Sequence, residues 1–384
     1  MSHAGASPDS DRRRIAFLCS SLPEGAHQQV FITLANALSE RGSLVDLVAP
    51  RVDSAVDSLA SSVRVVNLDA RATRVPWVSS KRRRWLLAST PEIAAYLRRE
   101  RPKTLFGGGL YNNLAALWAR QLSGVSTRIV VVEGNPLSKT IRNPGRIKLF
   151  APLLVRRFYP RADGWIGTSR DVSHDIADLA KLPRERVASI GNPVLTSEVL
   201  RRMDEPLEHP WFAPGNPPVI LGVGRLAVQK DFSTLIRAFG KLRAERAARL
   251  LILGEGRCRV ELEKLVTRLG LDEDVALPGF VSNPLPYMKC ASVFALSSIY
   301  EGFGNVLVEA LAAGCPIVST RCPGGPAEIL EEGNYGALVP PGNPDALSRA
   351  LAQVLDAPPD REHLQARARD YSPANIARLY EALV

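Results

Sequence analysis

Four charged side chains in the second half of the chain combine residue types and spacings that suit binding chemistry. Arg225 and Lys230 lie in GVGRLAVQKDF, directly after an apolar run, and Glu301 and Glu309 lie eight residues apart in YEGFGNVLVEALAAG. Cations near the start of a helix are mildly destabilising unless an anion is bound there. Two cations beside a glycine turn suit a diphosphate. The pattern therefore predicts that Arg225 and Lys230, beside the turn at Gly224, contact a diphosphate.

The sequence around Glu301 and Glu309 predicts a loop followed by a helix. Glycines on both sides of Phe303 keep Glu301 in a loop, and the next helix is predicted to begin near Asn305, so that Glu309 falls on its second turn. The backbone N–H groups of Gly304, Asn305 and Val306 then form an anion site. Glu309 lies in an otherwise apolar helix, where a carboxylate without a partner is costly. We interpret the glutamates as two hydrogen-bond acceptors for one ligand, not as an acid/base pair.

Other turns in the sequence give weaker indications of a ligand contact, or none. Gly25 follows the first strand and can let the backbone approach an anion, although alone it indicates an ordinary turn. Val281, in GFVSN, can offer backbone groups to a nucleobase. The triplet at 272–274 resembles a DxD metal motif, but its position between a helix end and a strand start favours a solvated loop. The five histidines are scattered, so we expect no metal site and no cofactor.

Strands and helices alternate along both halves of the chain, which indicates parallel sheets covered on both faces. Residues 1–193 are predicted to form one doubly wound α/β domain and residues 194–371 a second, with a Pro-rich linker after position 193. Residues 372–384 are predicted to be a helix that packs back toward the N-terminal domain. Ligands of such sheets bind at the carboxyl ends of the strands, which places the expected site in a cleft that both domains face.

The excess of positive charge lies entirely in the first half of the chain. Residues 1–192 contain 29 Lys and Arg against 16 Asp and Glu, whereas the remainder contains 20 against 23. The first half therefore suits an anionic partner: nucleic acid, a lipid surface or a phosphorylated acceptor. Five cysteines without a CxxC pair indicate reduced thiols in a cytoplasmic protein. No apolar run approaches the length that spans a bilayer.

The E-x7-E spacing, GxGRLxxQKD, IGNPV, LPGFVSN and GGPAEIL, in this order, resemble the retaining GT-B glycosyltransferases of group 1 (family 4). The resemblance covers nearly the whole chain. It implies that Arg225, Lys230 and Glu301 are the catalytic residues and that no metal is needed, because the two cations neutralise the leaving diphosphate. It further implies a donor site formed by Gly25, Gly224, Arg225, Lys230, Val281, Glu301, Gly302, Phe303, Gly304, Asn305, Val306 and Glu309.

The activity implied by this resemblance is transfer of a hexose-type sugar from a nucleotide diphosphate-sugar, with UDP favoured. The acceptor is a hydroxyl of a lipid-linked glycan or a polysaccharide, as in cell-envelope and lipopolysaccharide synthesis. The basic segments 81–85 and 146–157 would attach the protein to anionic lipid at the inner face of the cytoplasmic membrane, and no nucleic acid is expected. A half-buried helix inside the first domain is an equal alternative for residues 146–157.

Three positions depart from the usual family pattern. Ala26 follows Gly25 where a second glycine is common, Glu133, Gly134 and Asn135 stand where a histidine is common, and Arg321 stands where an aspartate is frequent. These departures keep two alternatives open. One alternative is a nucleotide-sugar epimerase of GT-B fold, and the other is a nucleotide-sugar-binding protein without catalytic activity.

Overall fold

The computed structural model describes residues 14–20, 26–50, 52, 58–68, 81–141 and 146–384. The chain divides into two compact units. The first unit is Met1–Pro193 together with Pro373–Val384, and the second unit is Val194–Ser372. Each unit is built around its own parallel sheet.

The sheet of the first unit has seven strands in its described residues, in the order β3-β2-β1-β4-β5-β6-β7, and every neighbouring pair is parallel. The strands are β1 Arg14–Leu18, β2 Leu44–Ala49, β3 Arg64–Asn67, β4 Thr104–Gly108, β5 Arg128–Glu133, β6 Gly164–Gly167 and β7 Val187–Ser189. The helices between them are α1 Ala26–Glu40, α2 Lys81–Glu100, α3 Leu110–Ser123, α4 Leu137–Ile141, α5 Arg146–Phe158 and α6 Arg170–Ala180.

The sheet of the second unit has six strands in the order β10-β9-β8-β11-β12-β13, again all parallel. The strands are β8 Val219–Val223, β9 Arg249–Leu253, β10 Val275–Gly279, β11 Val293–Leu296, β12 Ile317–Thr320 and β13 Ala337–Val339. The helices are α7 Ser197–Met203, α8 Phe232–Glu245, α9 Arg259–Arg268, α10 Leu285–Cys290, α11 Asn305–Ala312, α12 Pro326–Ile329, α13 Pro344–Asp356 and α14 Arg361–Ala368.

The strand order explains where a ligand can enter the second sheet. The chain runs outward from β8 through β9 to β10 and then returns to the other side of β8 with β11. The loops after β8 and β11 therefore leave in opposite directions at the point where the strand order reverses. In doubly wound sheets the crevice at this switch point, outside the carboxyl ends of the strands, is the usual ligand site.

The last helix, α15 Pro373–Glu381, belongs to the first unit. Its Tyr380 is fully buried and packs against the rings of Phe106 and Phe17, with centroids 5.2 and 6.4 Å apart. Glu381 accepts hydrogen bonds from the Arg41 guanidinium at the end of α1. The aromatic contacts bury apolar area and thereby fasten the C-terminus to the first sheet.

A buried carboxylate joins four elements of the first unit. Asp46 on β2 is 1% exposed and accepts hydrogen bonds from Arg14 on β1, Arg64 on β3 and the Tyr96 hydroxyl on α2. Because an unpaired buried carboxylate is costly, these partners fix the register of three strands against one helix. The neighbouring Glu100 has its pKa lowered to about 2 by hydrogen bonds from Arg64 and Arg99.

The segment after residue 193 differs from the predicted linker. Residues 197–203 form α7, whose N-cap Thr196 accepts a hydrogen bond from the Val199 N–H. A short 3-10 turn follows at Pro210–Phe212. Thr196 is a good N-cap and Glu198 favours the first turn, so the local helix signal is present in the sequence. The prolines around this segment favoured the prediction of a linker over that of a helix.

Candidate functional site

An ion pair connects the loops that follow β8 and β11. Lys230 Nζ lies 2.7 Å from Glu301 Oε1, and the same oxygen accepts a hydrogen bond from Ser298 Oγ at 2.5 Å. Glu301 is 5% exposed and Lys230 is half-buried. An ammonium has three N–H donors, and Glu301 uses one. Lys230 therefore keeps donors for a ligand while its charge is held in place.

Hydrogen bonds to backbone carbonyl groups hold these two loops together. The Ile299 N–H donates to Gln229 O at 2.8 Å, and Gln229 Nε2 donates to Tyr300 O at 3.0 Å. Ser297 Oγ donates to Lys230 O at 2.8 Å. The paired strands β8 and β11 bring the two loops to the same edge, and these bonds fix their relative position. The positions of Lys230 and Glu301 thus follow from rigid backbone, which is the usual requirement of a preorganised site.

Two glycines after β12 pack against the loop that carries Glu301. A Cβ at Gly324 would lie 2.3 Å from Glu301 O, and a Cβ at Gly325 would lie 2.0 Å from Phe303 O. The N–H of Glu301 donates to Pro323 O, and that of Gly325 to Gly302 O. The two glycines of GGPAEIL therefore pack directly against the backbone of the Glu301 loop. No side chain fits at either glycine.

Helix α11 begins at Asn305, as predicted, after Gly304 in the left-handed conformation (φ 100°). Phe303 is buried against the ring of Tyr371, with centroids 5.2 Å apart. This packing anchors the helix start directly after the Glu301 loop. The first backbone N–H groups of a helix have no partner within the helix and favour an anion. Asn305 and Val306 are the first two residues of this helix.

Glu309 lies on the second turn of α11 and is half-buried. Burial raises its pKa to about 7, although the positive charges of Arg202 and Lys230 act in the opposite direction. Lys230 is thus close enough to influence both Glu301 and Glu309. The carboxyl of Glu309 is poised between its neutral and charged forms near neutral pH, which is a property common at functional sites.

Arg225 is exposed, and within the described part of the chain its side chain has no hydrogen-bond or ion-pair partner. The loop beneath it is tight, because a Cβ at Gly254 would lie 1.9 Å from Gly224 O. The Gly224 N–H also donates to Leu253 O. A free guanidinium on a fixed loop at the switch point is available for an anionic ligand.

The loop carrying Val281 is held by α7, a helix that was not predicted to belong to the site. Arg202 donates to Ser282 O at 2.6 Å, and Asn283 Nδ2 donates to Arg202 O and to Glu205 Oε2. Val281 itself is half-buried. The signal for Arg202 was weak, since it lies among several basic residues in a segment that resembles a linker.

Two known protein families match the two halves of the chain. The family described as "Glycosyl transferases group 1" matches residues 204–371, and the "Glycosyl transferase 4-like domain" matches residues 25–193. The chain is 30% identical over 270 residues to a Campylobacter jejuni enzyme, the N-acetylgalactosamine-N,N'-diacetylbacillosaminyl-diphospho-undecaprenol 4-alpha-N-acetylgalactosaminyltransferase, and the match covers 69% of this chain and 72% of that one. The chain belongs to the group 1 glycosyltransferases.

Solved structures show the same architecture for this group 1 glycosyltransferase. The lipopolysaccharide outer core galactosyltransferase WaaB superposes with a TM-score of 0.74 at 19% identity, over 96% of this chain and 98% of that one. Anabaena HepE in complex with UDP and glucose superposes with a TM-score of 0.70 at 19% identity, over 97% and 99%. These likenesses confirm the predicted GT-B fold of two Rossmann-like domains.

Residues outside this cluster in the group 1 glycosyltransferase have other roles. Asp274, in the DxD-like triplet, accepts from Arg243 and Arg249 and so closes an ion-pair network. Arg321 pairs with Glu332 at an exposed turn, which accounts for its charge without a ligand. In the described residues no group of His, Cys, Asp and Glu side chains is arranged to hold a metal ion. Gly25 lies outside the described residues.

Proposed function

We propose that this group 1 glycosyltransferase is a retaining enzyme that transfers a hexose-type sugar from a UDP-sugar to a hydroxyl of a lipid-linked or polysaccharide acceptor of the cell envelope. The observation that carries the proposal is the Lys230–Glu301 pair at the switch point, with Arg225, which has no side-chain partner among the described residues, in the same loop as Lys230. The named relatives favour this acceptor class, since the Campylobacter enzyme is named for a diphospho-undecaprenol acceptor.

The residues of the site bind different parts of the nucleotide-sugar. Arg225 and Lys230 bind the diphosphate, together with Gly224 and the amides from Gly304 to Val306. Glu309 accepts hydrogen bonds from the ribose. Glu301, held by the hydrogen bonds from Ser298 and Lys230, accepts hydrogen bonds from hydroxyls of the donor sugar. The backbone at Val281 contacts the base, and Arg202 positions that loop.

The reaction breaks the bond between the sugar C1 and the β-phosphate oxygen and forms a bond from C1 to the acceptor oxygen on the same face. The acceptor proton passes to the leaving phosphate oxygen. Negative charge grows on the diphosphate as the bond breaks, so cations aimed at it stabilise the transition state more than the ground state. Because Arg225 and Lys230 supply this charge, we propose that transfer proceeds without a divalent metal.

A thermal-shift series tests the donor assignment. A ligand that binds only the native state raises its stability in proportion to ln(1 + [L]/Kd). UDP is expected to raise the melting temperature more than GDP, ADP or TDP, and the UDP-sugars are then screened for transfer in EDTA. Retention of the anomeric configuration is read from the product by NMR. An inverted product, or transfer only with added metal, would contradict the corresponding part of the proposal.

Attachment to anionic membranes is a separate part of the proposal. Helix α5 spans Arg146–Phe158, and on its described turns Leu153 is 63% exposed beside the exposed Arg156 and Arg157. An exposed leucine among arginines suits the boundary of an anionic bilayer. None of the described helices is long and apolar enough to cross a membrane. Liposomes with anionic lipid should retain the protein at low salt, and equal retention by neutral liposomes would contradict an electrostatic attachment.

A further inference from the structure

One arginine of the second unit is largely buried, although arginines usually lie at the protein surface. Arg367, near the end of α14, has a side chain that is 16% exposed. Its guanidinium donates to Ile329 O at 3.0 Å and Glu328 O at 2.8 Å, to the Tyr371 hydroxyl at 3.1 Å and to Asp370 Oδ2 at 2.8 Å. A guanidinium has five N–H donors in a planar fork, and these bonds commit four of them. The side chain is therefore fixed, and it joins the groups that it contacts.

Two of these hydrogen bonds hold α12, the helix of GGPAEIL. They end on the carbonyls of Glu328 and Ile329, the last two residues of the helix. The other end of α12 follows directly on the glycines that pack against the Glu301 loop. The Ile329 side chain lies next to Gly304, because its Cδ1 would be 3.8 Å from a Cβ at that position. Helix α12 therefore contacts the segment before α11 at both of its ends, and Arg367 holds it there.

A third hydrogen bond holds the ring of Tyr371. Its hydroxyl accepts from Arg367 Nη2, and the guanidinium carbon lies 5.4 Å from the ring centroid. Tyr371 is 8% exposed, and its ring meets the ring of Phe303 edge to face, with 68° between the two planes. Edge-to-face packing favours one relative orientation of two aromatic rings. Tyr371 therefore holds Phe303, the residue directly before Gly304.

Both surfaces that Arg367 holds thus pack against the same short segment. Phe303 and Gly304 connect the Glu301 loop to the first residue of α11. The position of the first turn of α11 follows from where these two residues are held. A displacement of about 1 Å at a site can lower activity about 100-fold, so the contacts that hold the segment bear on function.

We propose that Arg367 is a positioning residue for the donor diphosphate. By holding α12 and Tyr371 against Phe303, it places the start of α11 at the phosphate groups. The inference rests on the proposed function, in which the amides from Gly304 to Val306 bind the diphosphate. A role in stability alone would also follow from four hydrogen bonds. The two roles differ in one observable, because only a positioning role makes the loss of affinity depend on the phosphates of the ligand.

UDP and uridine, compared as ligands of Arg367→Gln, test the proposal. Uridine keeps the base and the ribose of UDP but lacks the diphosphate, so it does not use the start of α11. The Kd of UDP is expected to rise about tenfold or more in Arg367→Gln, as for a lost hydrogen bond to a charged group, with the Kd of uridine unchanged. Isothermal titration measures the Kd of UDP, and NMR titration measures that of uridine. Arg349→Gln, the same change at an exposed position of α13, should leave both Kd values unchanged.

Arg367→Lys separates geometry from charge. Lysine keeps the positive charge, but its ammonium cannot reproduce the planar fork that joins two carbonyls and a hydroxyl. The Kd of UDP should therefore stay above the wild-type value in Arg367→Lys, again with an unchanged Kd of uridine. Wild-type UDP affinity in Arg367→Lys would overturn the proposal, since the charge alone would then be sufficient.

The outcomes separate this inference from the proposed function. If the wild-type protein binds UDP and Arg367→Gln keeps that affinity, or loses UDP and uridine affinity by the same factor, the assignment of Arg367 is wrong and the proposed function stands. If the wild-type protein neither binds UDP nor transfers any sugar, the proposed function fails and this inference fails with it. Should Arg367→Gln not fold, Tyr371→Phe replaces it, because it keeps the ring on Phe303 and removes only the hydroxyl. Its Kd of UDP should rise about threefold at an unchanged Kd of uridine, and an unchanged Kd of UDP would overturn the proposal.

Discussion

Lys230 Nζ and Glu301 Oε1 lie 2.7 Å apart, although 71 residues separate them in the chain. The two residues meet because β8 and β11 are neighbours in the sheet, and their loops leave from the point where the strand order reverses. Both side chains are largely buried, at 17% and 7% exposed. Truncating one member of such a pair leaves the other charge unpaired, so the pair should act as one unit in binding and catalysis.

Lys230→Ala should lower kcat/KM for sugar transfer at least 100-fold, because it removes a cation from the leaving diphosphate and leaves Glu301 unpaired. Glu301→Gln should lower it by a similar factor, and the double variant should lose less than the product of the two factors. Steady-state kinetics measures all three. Lys241→Ala removes an exposed lysine from α8 that pairs with Asp345, and should leave activity unchanged. Independent, multiplicative losses in the double variant would contradict coupling.

Arg225→Ala should weaken UDP binding about tenfold or more and reduce its dependence on salt, because a charged hydrogen bond to the diphosphate is lost. The melting temperature without ligand should not change, since the exposed guanidinium has no partner among the described residues. Isothermal titration with UDP at two ionic strengths measures both effects. Arg237→Ala, at an exposed position of α8, is the matched control. Equal UDP affinity in the wild type and Arg225→Ala would exclude Arg225 from the diphosphate site.

Gly325→Ala should reduce transfer strongly while the unit stays folded. The added Cβ would lie 2.0 Å from Phe303 O, so the loop between Glu301 and α11 must shift. Displacement of about 1 Å at a site can lower the rate about 100-fold. Gly342→Ala has a positive φ of 69° and no atom near its Cβ, so it tests backbone strain without collision. The control should lose about 1 kcal/mol of stability and keep its activity. Full activity of Gly325→Ala would show that this support is dispensable.

Much of this site was predictable from the sequence because its parts are local. GVGRLAVQKDF and YEGFGNVLVEALAAG each specify a strand end, a turn and a helix start, and the helices begin at Phe232 and Asn305. Arg202 and Ser298 were not predicted, because their roles depend on contacts between segments far apart in sequence. The short strands β3, β7 and β13 have little sequence signal of their own for a related reason. They are three or four residues long and are defined mainly by their neighbours in the sheet.

The affinity for UDP-glucose should increase between pH 6 and pH 8. Glu309 has a pKa raised to about 7 by burial, so it loses its proton over this range and becomes a stronger acceptor for the ribose hydroxyls. UDP-glucose itself carries no phosphate that titrates there. Glu309→Gln should bind more weakly at pH 8 and show a flat pH profile, which isothermal titration at several pH values would establish. An unchanged slope in Glu309→Gln would assign the titration to another group.

Asp46→Asn should destabilise the first unit without changing the chemistry of the site in the second. The substitution weakens the ion pairs with Arg14 and Arg64 and places an amide NH2 where a carboxylate oxygen accepted hydrogen bonds. The Tyr96 hydroxyl loses its charged partner and stays buried. Because both arginines are partly exposed, we expect a loss of about 3 kcal/mol in the free energy of unfolding, less than a fully buried pair would give.

Urea unfolding measures this loss for Asp46→Asn, and UDP titration at low temperature measures the donor site of the same variant. Asp272→Asn changes an exposed aspartate whose side chain accepts a hydrogen bond from Thr267. It is the matched control and should stay within about 0.5 kcal/mol of the wild type. Nucleotide affinity should be equal in all three proteins, because every described residue assigned to the nucleotide lies in the second unit. A stable Asp46→Asn protein would mean that the apolar packing of β1, β2 and β3 alone fixes their register.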